Sequence, residues 1–287
     1  MGKLSASASA DLVSPEAHFV IEPARGWAAL DLEEMWKYRE LLFFLTWRDI
    51  KLRYRQTALG VAWAILQPLL AMIIFSVIFG ELAKLPSGGI PYPIFTYTAL
   101  LPWQLFAFAL TSSSNSLVGN QNLISKVYFP RLVIPFSSVI AGVLDFGVAF
   151  LVLLGMMIFY NIQISAAIFI LPLFLMLTLA SAMAVGLWLS ALNVQYRDVR
   201  YAVPFLTQLW MYATPIAYSS ELIPEKWRWL YSLNPMTGVV EGFRWVMLGE
   251  SSLDTFSLGI SAVVVVAFLV SGLYYFKRLE ATFADVI

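Results

Sequence analysis

The chain of 287 residues contains no cysteine and a single histidine, His18. Without thiols it has no disulfide, thiolate nucleophile or cysteine metal site, and one histidine cannot form a His-rich metal cluster. Charge is also scarce, because Asp, Glu, Lys and Arg make up 13% of the residues, about half the usual share. The 18 cations balance the 18 anions, which argues against a general nucleic-acid-binding protein.

Apolar residues are abundant instead. They account for 60% of the chain, and the mean hydropathy is +0.77. A soluble domain of this length needs a charged surface that this composition cannot supply. The composition therefore predicts an all-α integral membrane protein, since open sheets cannot cross lipid.

Long charge-free stretches predict six transmembrane helices. Crossing a hydrocarbon layer of about 30 Å takes about 20 helical residues. In the second stretch, three nearby prolines are expected to delay the helix and Ser112–Ser116 to end it. The predicted spans are Gly60–Gly80, Phe95–Leu117, two helices within Leu132–Tyr196 that a polar turn separates near Tyr160–Ser165, Pro204–Ser220 and Phe256–Phe276.

The distribution of Lys and Arg predicts the orientation. With the N-terminus inside, 14 of the 18 cations fall on inner segments and 4 on outer segments. Both termini are therefore predicted to be cytoplasmic. Residues 1–32 lack an apolar signal core and are expected to form a disordered cytoplasmic tail. Residues 33–57 are expected to form an interface helix, and 58–287 the transmembrane domain.

The interface helix is predicted to be amphipathic. Aromatic and aliphatic residues recur at spacings of seven, four, three and four, and basic residues fall on the other side. Such a helix suits the inner headgroup layer, either as a simple anchor or as a brace for a cytoplasmic partner. The apolar residues are Trp36, Phe43, Trp47, Ile50 and Tyr54, and the charged ones are Lys37, Glu40, Arg48, Lys51 and Arg55.

The inner loop between the second and third spans carries the run Ile124–Arg131. Its Tyr-Phe pair is flanked by Lys126 and Arg131, and aromatic residues and Arg are common anchors of interfaces. The pattern fits two interpretations equally well: a protruding loop that binds a partner protein, and a solvated turn whose aromatic residues lie at the membrane interface.

Asp145 is the only charge between Arg131 and Arg197. A carboxylate at mid-membrane costs roughly 2.5–3.5 kcal/mol, so it should face protein or water. A proton relay would require a second buried titratable group. We therefore expect Asp145 to form a structural hydrogen bond or helix contact.

The outer segment Ser219–Asp254 contains an apolar stretch, Met236–Leu248, between Asn-Pro and Gly249. These signals delimit a helix that is too short to span and that should be interfacial or re-entrant. Glu241 and Arg244 are spaced to pair across one turn. The aromatics that precede the helix suit either a membrane belt or stacking on sugar rings.

Several motifs of catalysis are missing from the sequence. It contains no G-x-x-x-x-G-K-[S/T] phosphate loop, no G-x-S-x-G, no metal-spaced cluster and no convincing pair of catalytic carboxylates. These absences disfavour an enzyme and a nucleotide site within this chain.

Several runs resemble the permease subunits of bacterial ABC exporters of lipid-linked polysaccharides, including O-antigen and teichoic-acid exporters. The resemblance extends from about residue 33 to 250. The runs are Leu52–Thr57 with Leu59 and Gly60, Trp63–Ala64 with Leu66–Pro68, Val127–Arg131, Asn193–Val199, Tyr212–Tyr218 and Leu233–Met236.

The resemblance implies a half-transporter in the bacterial cytoplasmic (inner) membrane. It would form a homodimer, bind two cytoplasmic P-loop ATPase subunits that hold the ATP and Mg, and move an undecaprenyl-linked glycan. The chain itself would need no cofactor. The alternatives are an ABC exporter of a drug or small lipid, a membrane-embedded glycosyltransferase or ligase, and an inert scaffold.

The resemblance also implies three sets of site residues. The inner set, which would couple to the ATPase, comprises Arg48, Arg55, Lys126, Tyr128, Phe129, Pro130, Arg131, Arg197 and Asp198. The channel set comprises Trp63, Trp103, Phe106, Trp210, Tyr212 and Tyr218. The outer gate comprises Trp227, Trp229, Asn234, Pro235, Glu241 and Arg244.

Overall fold

A computed structural model describes residues 32–55, 60–249, 253–280 and 282–283. Nearly all of the predicted N-terminal tail lies outside these residues. The described part is helical and has no strand. Its helices are α1 Leu32–Lys37, α2 Arg39–Tyr54, α3 Ala62–Phe75, α4 Tyr92–Gly119, α5 Gln121–Ile124, α6 Val133–Phe159, α7 Leu171–Gln195, α8 Val199–Tyr212, α9 Glu225–Tyr231, α10 Pro235–Leu248 and α11 Thr255–Glu280.

Five helices in the described ranges are long and apolar enough to cross a membrane. This agrees with the predicted all-α membrane protein. In two of them a helical segment of another type extends the α-helix: a π-helix, Ser76–Leu82, continues α3, and a 3₁₀ turn, Ala166–Ile170, precedes α7. The five spans are Ala62–Leu82, Tyr92–Gly119, Val133–Phe159, Ala166–Gln195 and Thr255–Glu280.

The predicted fifth span, Pro204–Ser220, is wrong in extent. Helix α8 begins earlier and has 14 residues, which correspond to about 21 Å and fall short of the hydrocarbon thickness. Pro204 lies inside α8, whereas Pro215 disfavours helical geometry at Thr214 and so limits the helix at its other end. The chain continues from there as turns and short helices.

Helix α4 lies at the centre of the bundle. Along an apolar stretch of 18 residues in this helix 78% of the residues are buried, against 11% in the span that contains α3. It packs mainly against α7 and α6, and also against α3, α8 and α10. The helix ends at Gly119, two residues beyond the predicted end, and the serines that were expected to end it remain helical: Ser114 donates to the carbonyl of Leu110 at 2.7 Å.

The ends of the helices sort into two groups. At one end, hereafter the inner end, Arg48 lies beside Asn120, and Arg131 contacts Glu280. At the opposite, outer end, the hydroxyl of Tyr92 donates to the carbonyl of Ala217. The connections between the long helices therefore alternate between two sides. That the inner end faces the cytoplasm remains a prediction.

Two predicted breaks in the helices are confirmed. The polar turn falls at Tyr160–Ser165, where Asn161 adopts a φ of 54° and the side chain of Ser165 caps the next helix. The outer helix α10 starts after Asn234, whose side chain accepts a hydrogen bond from the amide of Met236 at 3.0 Å. It ends at Gly249, with a φ of 69° that glycine adopts without strain.

The predicted interface helix is present but interrupted. Tyr38 separates α1 from α2, and α2 packs against α6 by burying Leu45. The aromatic side chains of Trp36 and Phe43 are 70% and 71% exposed. This uncovered aromatic surface suits the lipid interface.

Candidate coupling, channel and outer-gate sites

The inner loop divides into an exposed tip and a buried base. Lys126 and Val127 are exposed and Tyr128 is 70% exposed, whereas Phe129 is 5% exposed and belongs to the core. Pro130 is also buried. The side chains able to reach a partner are therefore those of Lys126, Val127 and Tyr128, and Phe129 anchors the loop.

Arg131 holds this loop to the last span. Its amide donates to Oε1 of Glu280 at 3.0 Å, and its guanidinium donates to the backbone carbonyl of Glu280. Lys277 lies 2.8 Å from the other carboxylate oxygen of Glu280. The predicted coupling loop is thus connected to the inner end of α11.

Arg48 joins the interface helix to the same side of the bundle. Its guanidinium donates to Oδ1 of Asp49 and to Oδ1 of Asn120, both at 2.7 Å. Asn120 follows the end of α4. The remaining coupling candidates, Arg55, Arg197 and Asp198, are exposed.

Asp145 lies near the midpoint of α6 and pairs with the interface helix. Its Oδ2 is 2.5 Å from Nη1 of Arg53, and the Arg53 guanidinium lies 3.9 Å from the ring centroid of Phe108. The expected helix contact of Asp145 is therefore present. Sequence reasoning missed Arg53 as the partner, because only the packing of α2 along α6 brings the two together.

A cavity of about 610 Å³ opens beside this ion pair, between α2, α3, α4 and α6. Its polar lining includes Gln67, Gln104 and Thr111. Trp63, a channel candidate that is 50% exposed, also lines it.

The other channel candidates do not line one open surface. Trp103 and Phe106 are buried, with ring centroids 5.4 Å apart, and Phe106 meets Trp210 edge-on at 5.0 Å. In contrast, Tyr212 is 58% exposed. Tyr218 donates to the carbonyl of Tyr212 at 3.1 Å.

Asn234 connects this aromatic cluster to the outer helix. Its Oδ1 accepts from the indole of Trp210 at 2.8 Å, and its amide group donates to Ala213 and Thr214, both at 3.1 Å. Pro235 is buried in the first turn of α10. The Asn-Pro pair thus caps α10 and also fixes the end of α8.

Arg244 is the largest fully buried side chain in the described ranges. Its guanidinium donates to the carbonyl of Ile216 at 2.8 Å and to that of Tyr218 at 3.3 Å, and it lies 3.6 Å from the ring centroid of Phe95. Arg244 thus supplies donors to two backbone carbonyls of the segment after α8, which forms no regular helix there.

The outer aromatic candidates Trp227 and Trp229 lie on α9 and are 51% and 58% exposed. Tyr231, at the end of this helix, is mostly covered, and its hydroxyl lies 2.8 Å from that of Tyr218. Burial, together with this hydrogen bond, raises the pKa of Tyr231 well above its ordinary value.

Asp254 begins the last span as an N-cap. Its Oδ1 accepts from the amides of Phe256 and Ser257 at 3.1 Å, and its Oδ2 accepts from the Ser257 hydroxyl at 2.6 Å. Partial burial favours the protonated form, but these hydrogen bonds outweigh it and leave the pKa of Asp254 below its ordinary value.

These features define a class of protein. A multi-pass helical membrane protein with an interface helix, a loop braced at the inner end and a buried, non-spanning helix at the outer end has the architecture of a transporter permease.

The chain belongs to the ABC-2 type transporter family, whose model matches residues 40–248. It is 32% identical over 249 residues to the O-antigen export system permease protein RfbA of Klebsiella pneumoniae, across 86% of this chain and 95% of that relative. A protein of the same name from Myxococcus xanthus is 28% identical, across 89% of this chain and 98% of the relative. The polysialic acid transport protein KpsM of Escherichia coli is 25% identical, across 81% and 91%. These matches confirm the resemblance found in the sequence.

Proposed function

We propose that this chain is the transmembrane subunit of an ATP-driven exporter that moves an undecaprenyl-linked polysaccharide across the bacterial cytoplasmic membrane. The observation that carries the proposal is the similarity to O-antigen export permeases along 86% of the chain. Two ATPase subunits would hydrolyse the ATP, and two copies of this chain would form the path.

The inner loop is the proposed docking surface for the ATPase. Lys126, Val127 and Tyr128 stand out from the bundle, while Phe129 and Arg131 hold the base of the loop. Displacement of the exposed tip by the ATPase would be transmitted to α11 through the contact between Arg131 and Glu280. Helices then move as rigid bodies, in a hinge-type transition.

The proposed channel contacts divide by exposure. Trp63 and Tyr212 offer ring faces to a glycan in this conformation, whereas Trp103 and Phe106 require the bundle to open. Ring faces contact sugar CH groups without fixing the register of the polymer, so a long chain can slide past them.

Deletion of the gene in its host tests the export function. We expect loss of the surface polysaccharide, restoration by the wild-type gene, and co-purification of a P-loop ATPase with the tagged chain. Normal surface polysaccharide in the deletion strain would show that the proposed substrate class is wrong.

Substitution of Tyr128 by Ala tests the docking surface in the purified complex. Tyr201→Ala is the matched control, because Tyr201 is also 70% exposed and lies on α8 outside the loop. We expect Tyr128→Ala to lower ATPase stimulation and export at least fivefold while the control stays within twofold. Equal activity of the two variants would exclude docking through the loop tip.

A further inference from the structure

A polar cavity of about 800 Å³ lies at the outer end, in the size range of small-molecule sites. It is enclosed by α9, α10, the start of α11 and the segment around Ser219–Ile223. None of the predicted coupling or channel residues lines it, and Glu241 is the single outer-gate candidate that does.

One face of α10 forms a wall of this cavity. Thr237, Glu241 and Trp245 follow one another at intervals of four residues and so lie on one side of the helix. Every side chain of α10 is buried except those of Glu241, Trp245 and Leu248, which all line the cavity. The only partly exposed side chains of α10 therefore line this space.

Hydrogen bonds between its own residues hold the polar groups on the floor of the cavity. The hydroxyls of Ser232 and Ser257 lie 2.7 Å apart, Ser257 donates to Asp254, and Thr237 donates to the carbonyl of Tyr231 at 3.3 Å. Polar groups held in this way can meet a ligand without first being ordered, which lowers the entropic cost of binding.

The charges of the lining select the ligand. Glu221, Glu241 and Asp254 supply carboxylates, and Arg228 supplies the one cation among the described lining residues. Such a site repels phosphate or acidic polymers and offers acceptors to hydroxyl groups. Trp245 adds an aromatic surface that suits the CH face of a sugar ring.

We propose that this cavity is an exit subsite that binds neutral sugar residues of the exported glycan. This proposal rests on the proposed function. A glycan bound there would remain at the outer end between cycles of ATP hydrolysis and would not move back towards the inner end. The site lies beside the outer-gate helix and is separate from the aromatic channel candidates.

The test is a binding titration on the full permease–ATPase complex in lipid nanodiscs. The probe is the host's own surface glycan, released from its lipid by mild acid and fractionated by size. We expect Trp245→Leu and Glu221→Gln each to raise the Kd at least tenfold. Trp245→Phe should keep most of the affinity, because it retains a ring.

Phe256→Leu is the matched control, since Phe256 lies at the start of α11 and is 70% exposed but does not line the cavity. An unchanged Kd in Trp245→Leu would overturn the proposal. So would tighter binding of a sialic acid oligomer of similar length, because it would contradict the selection by charge. Binding of Ca²⁺ that needs Glu221, without glycan binding, would also overturn it.

Two further outcomes separate this proposal from the broader one. Export that does not require the chain would refute the proposed function. If export requires the chain, but the cavity variants bind and export glycan as the wild type does, the exit subsite alone is refuted. Variants that bind glycan normally but lose an outer protein partner would assign the cavity to that partner.

Discussion

Arg53 and Asp145 form an ion pair with 2.5 Å between Nη1 and Oδ2, and it ties the interface helix to the midpoint of a transmembrane helix. The Arg53 guanidinium also stacks on Phe108. The pair gives the isolated carboxylate of α6 a partner and gives α2 a fixed position on the bundle. Motion of the interface helix must therefore move α6 or break this contact.

Asp145→Asn is expected to destabilise the chain by about 1–3 kcal/mol, because it removes the negative charge that the Arg53 guanidinium contacts on α6. The measurement is thermal unfolding of the detergent-solubilised protein. Glu40→Gln, on the exposed side of α2, is the control and should leave the midpoint unchanged. The double variant Arg53→Met/Asp145→Leu should be less destabilised than the sum of its single variants, and strict additivity would contradict a direct interaction.

Glu280→Gln is expected to weaken the link between the inner loop and α11. The neutral amide still accepts a hydrogen bond from the amide of Arg131, but it lacks the charge that Lys277 faces. We expect ATP hydrolysis to persist while export per ATP falls severalfold. The measurement compares ATPase rate and glycan transport in proteoliposomes. Arg278→Gln, on the exposed side of the same turn, is the control. A proportional loss of both activities would argue against a coupling role.

Arg244→Ala is expected to cost about 3–5 kcal/mol, because it leaves two carbonyls without a donor and a void beside Phe95. Arg244→Lys should destabilise the chain less than Arg244→Ala, because it keeps the charge. It should still destabilise the chain, because lysine lacks the planar guanidinium that donates to both carbonyls. Folded yield and melting temperature measure both effects. Arg228→Ala removes an exposed guanidinium and should change stability by less than about 0.5 kcal/mol. Similar losses at the two arginines would contradict the structural role of Arg244.

Asp254 is expected to make stability depend on pH. Because its pKa is lower in the folded chain than in the unfolded one, its charged form stabilises the fold at neutral pH. That contribution is present above the ordinary carboxyl pKa of about 4. It is lost as the pH falls through the lower pKa that Asp254 has in the folded chain. We therefore expect the melting temperature of the wild type to exceed that of Asp254→Ala at pH 7 and the two melting temperatures to converge as the pH falls to 3. Asp254→Asn retains a capping group and should lie between the two at neutral pH. A difference between the melting temperatures of the wild type and Asp254→Ala that stays constant with pH would contradict this account.

Local signals in the sequence predicted much of the fold. Asn234 and Gly249 delimited α10, and Asn161 with Gln163 placed the turn between two spans, because caps and turns depend on nearby residues alone. The prediction of the fifth span was wrong for the opposite reason. Its apolar composition is that of a membrane helix, but α8 is short and the residues after it depend on Arg244, 26 residues beyond Tyr218.

The candidate sites were less predictable. The sequence marked Tyr128 and Phe129 as one docking motif, yet the first is 70% exposed and the second is 5% exposed. It also grouped Trp103 and Phe106 with Tyr212, although the first two are packed inside the bundle. Burial of an aromatic residue depends on which helix covers it, and spacing along one segment does not contain that information.

The sequence by itself determined the class of protein, the approximate positions of five spans and the positions of the main breaks, because a membrane imposes the length and apolarity of its helices. Only the tertiary structure decided the partners of the scarce charges. Asp145 meets Arg53, Arg131 meets Glu280, and Arg244 meets the carbonyls of a distant turn. In a bundle with few charges, long-range packing brings these groups together, since each must find a partner away from water.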